Sequence, residues 1–181
     1  MNSLILSAGF GTRLWPLTQR MPKPMIQIGG IPVLEHLIIY LKRYGIENII
    51  VNTHYLSNKI MEYFGSRVLY TYEPQLLGEE GTIESIAKFP FISHEYLVVM
   101  NGDTLTNLDL GKMFKLSGGK SIRSMEGEVY TGIKILSPAY FKGNKKIINY
   151  SDADTRWIDI GTPEGLEKAR KHYEKKPIKM S

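Results

Sequence analysis

Apolar positions in the first half of the chain alternate between two periods. Short apolar runs at residues 3–7, 48–53 and 67–72 have the length and composition of buried β-strands. Between these runs, apolar residues recur every three or four positions, which predicts two amphipathic helices that each end at a glycine. The two helical sets are Leu34, Leu37, Ile38 and Leu41, before Gly45, and Leu56, Ile60, Met61 and Phe64, before Gly65.

The same alternation continues to the middle of the chain. A helix is predicted over about 81–88, and it precedes an apolar run at 96–100 that ends at Asn101-Gly102-Asp103. Strands that alternate with helices favour an α/β fold of Rossmann-like type, with a mostly parallel mixed sheet covered on both faces. Ligands of such sheets bind beyond the carboxyl ends of the strands.

The second half of the chain is less regular. Thr162 and Pro163 are a good N-cap and N1 pair for a closing helix. We predict one domain at 1–175, followed by a basic tail at 176–181. The elements predicted for this half are a short helix at 109–116, a turn at 117–120, a strand at 129–136 broken by Gly132, an extended run at 147–160 with a polar interruption at 151–156, and a helix at 163–173.

Composition narrows the class of protein. The chain has 181 residues, of which 43% are hydrophobic, so it can bury one sizeable core. We expect no membrane association and a cytoplasmic location, because there is neither a long apolar run nor a secretory leader. The absence of cysteine excludes disulfides, thiol nucleophiles and cysteine-ligated metals. The histidines show no ligand spacing, and His36 is expected to be structural.

The charge balance favours an anionic ligand. There are 23 Lys and Arg against 18 Asp and Glu, for a formal net charge of +5, and the stretch 168–179 holds much of the excess. No recognition helix, RNA-binding motif or zinc finger accompanies this charge, so we expect no nucleic-acid partner.

The segment 7–25, SAGFGTRLWPLTQRMPKPM, carries the strongest chemical signal. Two glycines directly after a strand let backbone N–H groups approach phosphate oxygens, and Arg13 and Lys23 add positive charge. On these grounds alone an ordinary turn with surface charge remains an alternative. The segment matches neither the dinucleotide fingerprint nor a P-loop.

This segment resembles the signature loop of the sugar-1-phosphate nucleotidyltransferases, G-x-G-T-R-L-x-P-L-T-x-x-x-P-K-P, at every defined position. The resemblance implies the nucleotide-diphospho-sugar transferase type of Rossmann-like fold. It also implies that Arg13 and Lys23 stabilise the transition state of nucleotidyl transfer. The residues that it assigns to nucleotide binding in this loop are Ala8, Gly9, Gly11 and Thr12.

Two carboxylates lie far apart in the sequence, and each has a glycine close by. Asp103 follows a predicted strand, and Asp159 lies in the stretch WIDIGTP at 157–163. Two carboxylates together with substrate phosphates are a typical Mg²⁺ environment, although Asn-Gly-Asp alone is more often a turn. Both stretches match the family pattern, and by that resemblance Asp103 and Asp159 are the Mg²⁺ ligands.

Two further stretches resemble the family pattern less closely. The stretch 73–81 is similar to its base-recognition loop and implies nucleotide contacts for Gln75 and Gly81, but Glu79 and Glu80 replace small residues. Carboxylates beside a triphosphate repel it unless they turn outward or bind an amino group of the base. The resemblance therefore does not identify the nucleobase of the NTP.

The acceptor side is shortened relative to the family. The stretch 129–133 resembles the V-x-G strand and implies sugar contacts for Thr131 and Gly132; the alternative for this glycine is a bulge in an edge strand. Glu126 aligns with the sugar-binding glutamate, whereas Gly127 stands where the family has a lysine. Lys120 or Arg123 could supply that charge from a shifted loop.

The resemblance implies an enzyme that transfers NMP from an NTP to a sugar 1-phosphate, giving an NDP-sugar and pyrophosphate, with Mg²⁺ as cofactor. Two alternatives remain open because of the shortened acceptor side. One is cytidylyl transfer to a small non-sugar phosphate such as phosphocholine, and the other is a non-catalytic nucleotide-binding module. The expected partners are an NTP and a sugar 1-phosphate, and a homodimer is compatible with each of these functions.

Overall fold

The computed structural model describes residues 1–174, and seven of its strands form one central sheet. The strands are β1 (Asn2–Leu6), β2 (Gln27–Ile28), β3 (Ile31–Pro32), β4 (Asn48–Thr53), β5 (Leu69–Tyr72), β6 (Leu97–Asn101), β7 (Thr104–Thr106), β8 (Ser121–Glu126), β9 (Val129–Leu136), β10 (Ile147–Tyr150) and β11 (Trp157–Asp159). The helices are α1 (Val33–Arg43), α2 (Ser57–Phe64), α3 (Gly78–Ile86), α4 (Pro90–Ser93), α5 (Leu110–Ser117), α6 (Pro138–Phe141) and α7 (Pro163–Glu174).

The central sheet has the strand order β10-β8-β9-β6-β1-β4-β5. Strands β6, β1, β4 and β5 are parallel, and β9 runs antiparallel to both of its neighbours. Two-stranded sheets join β7 to β11 and β2 to β3. This architecture confirms the prediction of an α/β fold with a mostly parallel mixed sheet.

The buried strands explain why both faces of the sheet carry helices. Leu4 and Ile5 are adjacent in β1 and fully buried, and they point to opposite faces because side chains alternate along a strand. Ile5 packs in the cluster that includes α1, α2 and α5, and Leu4 packs with α3, α4 and α6. The predicted apolar faces of α1 and α2 are buried, except that Met61 is exposed and that Leu56 is only half-buried and precedes α2.

A third apolar cluster joins the two ends of the described chain. Leu14 and Ile26 of the amino-terminal loop pack with Ile160 and with Leu166 and Ala169 of α7. The helix α7 begins as predicted, since the Thr162 hydroxyl accepts a hydrogen bond from Gly165 N at 3.1 Å. The loop that carries the sequence signature is thereby held against the last helix.

The structure differs from the sequence prediction at three points in the second half. The strand β8 was not predicted, because Ser, Arg and Glu interrupt its apolar positions. The three-residue strand β7 is too short to leave a pattern. Gly132 does not break its strand, contrary to the prediction, since β9 runs continuously from Val129 to Leu136. Nor does it mark an edge strand, since β9 lies between β8 and β6, and the register irregularity lies between Arg123 and Met125 of β8.

Residue 175 and the predicted basic tail at 176–181 lie outside the described residues. In the part of the chain that the structure describes, no helix combines the length and the apolar character needed to cross a bilayer.

Candidate functional site

The carboxyl ends of β1, β4 and β6 open into one pocket of about 300 Å³, here called the strand-end pocket. Its position agrees with the rule that parallel sheets bind ligands beyond these ends. The pocket is lined by Leu6, Ser7, Ala8, Gly9, Lys23, Pro24, Asn52, Glu73, Leu76, Gly78, Glu79, Thr82, Asn101, Gly102 and Asp103.

The amino-terminal loop folds back on itself beside this pocket. Gly11 has φ +67°, and a Cβ there would lie 3.2 Å from both Lys23 Cβ and Thr18 Cγ2, so only glycine fits without displacing them. The buried Thr18 hydroxyl donates to Gly11 O at 2.7 Å. Of the predicted nucleotide contacts, Ala8 and Gly9 line the pocket, whereas Gly11 and Thr12 do not.

Asp103 is brought to the pocket by a close approach between two strand ends. Gly102 N donates to Leu6 O at 2.8 Å, and a Cβ on Gly102 would lie only 2.6 Å from that oxygen and from Ser7 Oγ. The Asp103 carboxylate forms an ion pair with Lys23 Nζ, and both side chains are mostly buried. Two residues 80 positions apart therefore meet in one charged pair.

The second predicted carboxylate arrives through the small β7–β11 sheet. Asp159 pairs with Thr104 in its register, and Ile160 N donates to Asp103 O at 2.9 Å. A Cβ on Gly161 would lie 2.8 Å from Asp159 Oδ1 and 3.1 Å from Asp103 Oδ2. The two carboxylate oxygens are therefore within about 6 Å of each other, a span that one hydrated divalent ion can bridge.

The Arg13 side chain also lies close to Gly161 and the two carboxylates. One of its guanidinium nitrogens lies 2.8 Å from the Cβ position of Gly161, beside Asp159 Oδ1. Any side chain at position 161 would displace this group. The structure thus gathers the four charged residues that the sequence singled out, Arg13, Lys23, Asp103 and Asp159.

The two carboxylates fit a Mg²⁺ site that substrate completes. Within residues 1–174, no group of three or more His, Cys, Asp or Glu side chains gathers that could enclose a metal by itself. Mg²⁺ is usually bound by one or two carboxylates, together with water and substrate phosphates. Asp103 and Asp159 supply that number, and Asp159 is oriented by a 2.6 Å hydrogen bond from Gly161 N to its Oδ1.

A buried glutamate organises the other end of the pocket. Glu73 Oε1 accepts hydrogen bonds from Asn52 Nδ2 at 2.9 Å and from the Thr82 hydroxyl, and its Oε2 accepts from Leu77 N at 3.2 Å. Asn52 in turn accepts from Ser7 N. This network connects the ends of β1, β4 and β5 with the start of α3.

The predicted base contacts are distributed differently from the expectation. Gln75 is exposed and lies outside the pocket lining. Gly81 lies within α3 and does not line the pocket either. The glycine of this stretch that lines the pocket is Gly78, which has φ +71°. Glu79 lines the pocket, but its carboxylate is neutralised by Lys134, and Glu80 is exposed.

The predicted sugar contacts do not gather at one place. Gly132 lies close to the pocket, since a Cβ there would meet Thr104 Oγ1 at 2.7 Å and Asn101 Nδ2 at 3.0 Å. Thr131 is buried, and its hydroxyl donates to Ser124 O at 3.3 Å. Glu126 is exposed and accepts from Trp157 Nε1 at 2.7 Å, in a separate cavity of about 580 Å³.

Sequence reasoning missed three polar groups of this region. Asn52 is the penultimate residue of the buried strand β4, and polar residues near strand ends are the signal that would have indicated it. Glu73 was noted only as part of a loop. Lys134 interrupts the apolar run of β9, which is unusual for a residue that is 7% exposed.

The chain is similar in sequence to known nucleotidyl transferases. The nucleotidyl transferase family profile matches residues 2–125. A D-glycero-alpha-D-manno-heptose 1-phosphate guanylyltransferase from Aneurinibacillus thermoaerophilus is 38% identical over 120 residues, which are 64% of this chain and 51% of the relative. A UTP–glucose-1-phosphate uridylyltransferase from Synechocystis sp. is 36% identical over 131 residues, which are 64% of this chain and 34% of the relative.

Solved structures agree on the fold. HddC from Yersinia pseudotuberculosis, complexed with GMP-PN, superposes with a TM-score of 0.79 at 24% identity, covering 95% of this chain and 99% of that one. A UDP-glucose pyrophosphorylase complexed with UDP-glucose gives a TM-score of 0.78 at 19% identity, covering 97% and 98%. The chain spans about a third to a half of the curated relatives named above. It belongs to the nucleotidyl transferase family, and those relatives are sugar-1-phosphate nucleotidyltransferases, as the amino-terminal loop predicts.

Proposed function

We propose that this protein transfers NMP from an NTP to a sugar 1-phosphate, with release of pyrophosphate. The observation that carries the proposal is the meeting of Arg13, Lys23, Asp103 and Asp159 at the carboxyl ends of the sheet. The relatives act on heptose 1-phosphate and glucose 1-phosphate according to their names, which supports the same acceptor class here.

The residues have distinct roles in this proposal. A sugar phosphate oxygen attacks the α-phosphorus, and the bond to the pyrophosphate oxygen breaks. Such transfers depend on positioning and charge neutralisation rather than on a covalent enzyme intermediate. Arg13 and Lys23 supply fixed positive charge, and backbone N–H groups of the loop at 8–12 bind phosphate oxygens.

Asp103 and Asp159 would hold the Mg²⁺. Bound there, the ion would neutralise phosphate charge and orient the leaving group. Lys23 already neutralises Asp103 through their ion pair, so a bound triphosphate would draw Lys23 toward its own oxygens. We propose a cytoplasmic location, because the cytoplasm supplies nucleoside triphosphates. We also predict a homodimer, which light scattering would detect as twice the mass of one chain.

The activity test is pyrophosphate release from a matrix of ATP, GTP, UTP, CTP and dTTP against sugar 1-phosphates and phosphocholine, with Mg²⁺. We expect one NTP and one sugar 1-phosphate to give turnover. Release with CTP and phosphocholine alone would support the cytidylyltransferase alternative. Nucleotide binding without release from any pair would support the non-catalytic module.

Asp103→Asn and Lys23→Met test the roles in this reaction. We expect each to lower kcat by about 100-fold or more, because Lys23→Met removes a positive charge that acts on the transferring phosphate and Asp103→Asn removes one of the two proposed Mg²⁺ ligands. Asp154→Asn is the matched control, since Asp154 is an exposed loop carboxylate, and its kcat should not change. Full activity in both charge variants, measured as pyrophosphate release, would contradict the assignment.

A further inference from the structure

Three aromatic side chains outside the strand-end pocket connect the amino-terminal loop to the segment between β4 and α2. Phe10 belongs to the loop, and His54 and Tyr55 belong to that segment. The Phe10 ring centroid lies 5.4 Å from that of His54, at an interplanar angle of 81°, and 5.3 Å from that of Tyr55. We call these three residues the aromatic cluster, and none of them lines the strand-end pocket.

Phe10 lies between two glycines, Gly9 and Gly11. Glycine leaves the backbone unusually free, so the N–H groups of this stretch keep fixed directions only if something anchors them. The Phe10 ring is 42% exposed and packs on His54 and Tyr55. Its side chain therefore holds the loop from outside, while Gly9 lines the pocket.

Tyr55 holds the same loop at a second point. Its hydroxyl donates to Gln19 O at 2.8 Å, and Lys59 Nζ on α2 donates to Arg20 O at 2.7 Å. One tyrosine thus contacts the outgoing part of the loop through its ring and the returning part through its hydroxyl. The stretch that carries Arg13 lies between these two contacts.

The segment that carries Tyr55 is itself held in place. His54 Nδ1 donates to Glu73 O at 2.7 Å, at the end of β5. Leu56 has φ +50°, and within residues 1–174 it is the one residue other than glycine with a positive φ. Such a conformation persists where surrounding contacts require it, and it is frequent at functional sites. The strain falls directly after the two residues that contact Phe10.

We infer that Phe10 and Tyr55 are positioning residues for nucleotidyl transfer, which fix the loop backbone and Arg13 without touching the nucleotide. The inference rests on the proposed function, in which loop N–H groups and Arg13 stabilise the charge on the phosphates. Donors that are held in advance need not reorient as charge develops in the transition state. Loss of either ring should therefore loosen the loop and slow the reaction together.

The experiment measures both effects in F10A and Y55A. Hydrogen exchange of residues 8–20, followed by mass spectrometry without nucleotide, should become about tenfold faster in each variant. The kcat for pyrophosphate release, with the substrate pair that the wild type prefers, should fall about tenfold. A tenfold change corresponds to the loss of about one aromatic contact.

Conservative variants separate positioning from general packing. F10Y keeps the ring and should keep at least about half of the wild-type kcat. Y55F keeps the ring but loses the bond to Gln19 O, so its kcat should fall only about threefold. The double variant F10A/Y55A should lose less than the product of the two single losses, because both remove the same contact.

Matched controls remove exposed aromatic rings elsewhere. Tyr63 is 45% exposed on α2, and Phe91 on α4 is 48% exposed and stacks on Phe89. Y63A and F91A should leave kcat and the exchange of residues 8–20 unchanged. Urea unfolding identifies any variant that does not fold, and if Y55A fails, F10A and Y55F provide the test.

The outcomes separate this inference from the proposed function. Wild-type exchange and kcat in F10A and Y55A would overturn the inference and leave the proposed function intact. Faster exchange with wild-type kcat would show a structural role alone and would overturn it too, as would equal losses in Y63A or F91A. A wild-type protein that releases pyrophosphate with no substrate pair would refute the proposed function, and this inference with it.

Discussion

Gly132 shows how a single residue position serves both the fold and the site. Its φ of +82° is unfavourable for any residue with a Cβ. In addition, a Cβ would lie 2.7 Å from Thr104 Oγ1 and 3.0 Å from Asn101 Nδ2. The absence of a side chain lets β9 approach the loop that carries Asp103.

The substitution Gly132→Ala should separate these two effects when it is compared with Gly127→Ala. Gly127 has φ +59°, and a Cβ there meets nothing within 4 Å, so Gly127→Ala should cost about 1 kcal/mol from the backbone alone. Gly132→Ala should cost at least about 2 kcal/mol more, because Thr104 and Asn101 must also move. Urea unfolding measures both values, and equal costs would contradict the close approach.

At the scale of elements, one carboxylate fixes the start of α3. Both Glu73 oxygens accept hydrogen bonds, from Asn52 and Thr82 on one side and from Leu77 N on the other. An amide cannot replace it, because its NH₂ group would face a donor in either orientation. The position of Gly78 and Glu79 in the pocket therefore depends on a charged group that is buried.

Glu73→Gln should lower the free energy of unfolding by about 1–3 kcal/mol, the cost of leaving a buried donor without an acceptor. It should also weaken nucleotide binding, since the start of α3 loosens. Glu62→Gln, on the exposed face of α2, is the control and should change stability by less than about 0.5 kcal/mol. Equal urea midpoints for the two variants would show that Glu73 has no organising role.

Elements with strong periodicity could be predicted, whereas some elements without a clear apolar pattern could not. The strand β4 was predicted with its observed bounds, 48–53, because five of its six residues are buried. The strand β7 has three residues and forms through contact with β11, so no local pattern specifies it, whereas β10 and β11 lie on either side of the polar interruption in the extended run predicted at 147–160. Yet this pairing brings Asp159 to Asp103.

The candidate site could be predicted only where residue type follows from a motif. The family resemblance indicated Arg13, Lys23, Asp103 and Asp159, which the structure brings together. It did not indicate Lys134, because the ion pair with Glu79 depends on how α3 lies against β9. Such contacts arise from tertiary packing, which sequence spacing does not encode.

At the scale of the whole molecule, His36 joins elements from both ends of the described chain. On α1, it is 6% exposed, and its Nε2 lies 2.8 Å from Ile28 O, so Nε2 carries the proton and donates. Its ring centroid is 5.0 Å from that of Tyr173 on α7. Burial lowers the pKa of His36, although the Ile28 hydrogen bond and the Glu35 charge oppose this shift.

Stability should therefore fall as the pH drops below the unfolded-state histidine value of about 6.5. There the unfolded chain binds a proton that folded His36 resists, with a slope of at most about 1.4 kcal/mol per pH unit. Urea unfolding at pH 7.5 and 5.5 measures the slope. His36→Gln should reduce it, whereas His94→Gln, at an exposed position, should not; equal slopes in both variants would contradict the assignment.

The pairing of β7 with β11 has a consequence for how the chain could be divided. The family match ends at residue 125, and every residue that lines the strand-end pocket precedes that point. Asp159, Gly132 and the helix that packs on the amino-terminal loop all come later. A polypeptide that ends at residue 125 would thus keep every residue that lines the strand-end pocket while losing Asp159, one of the two proposed Mg²⁺ ligands, so genetic complementation should require both pieces.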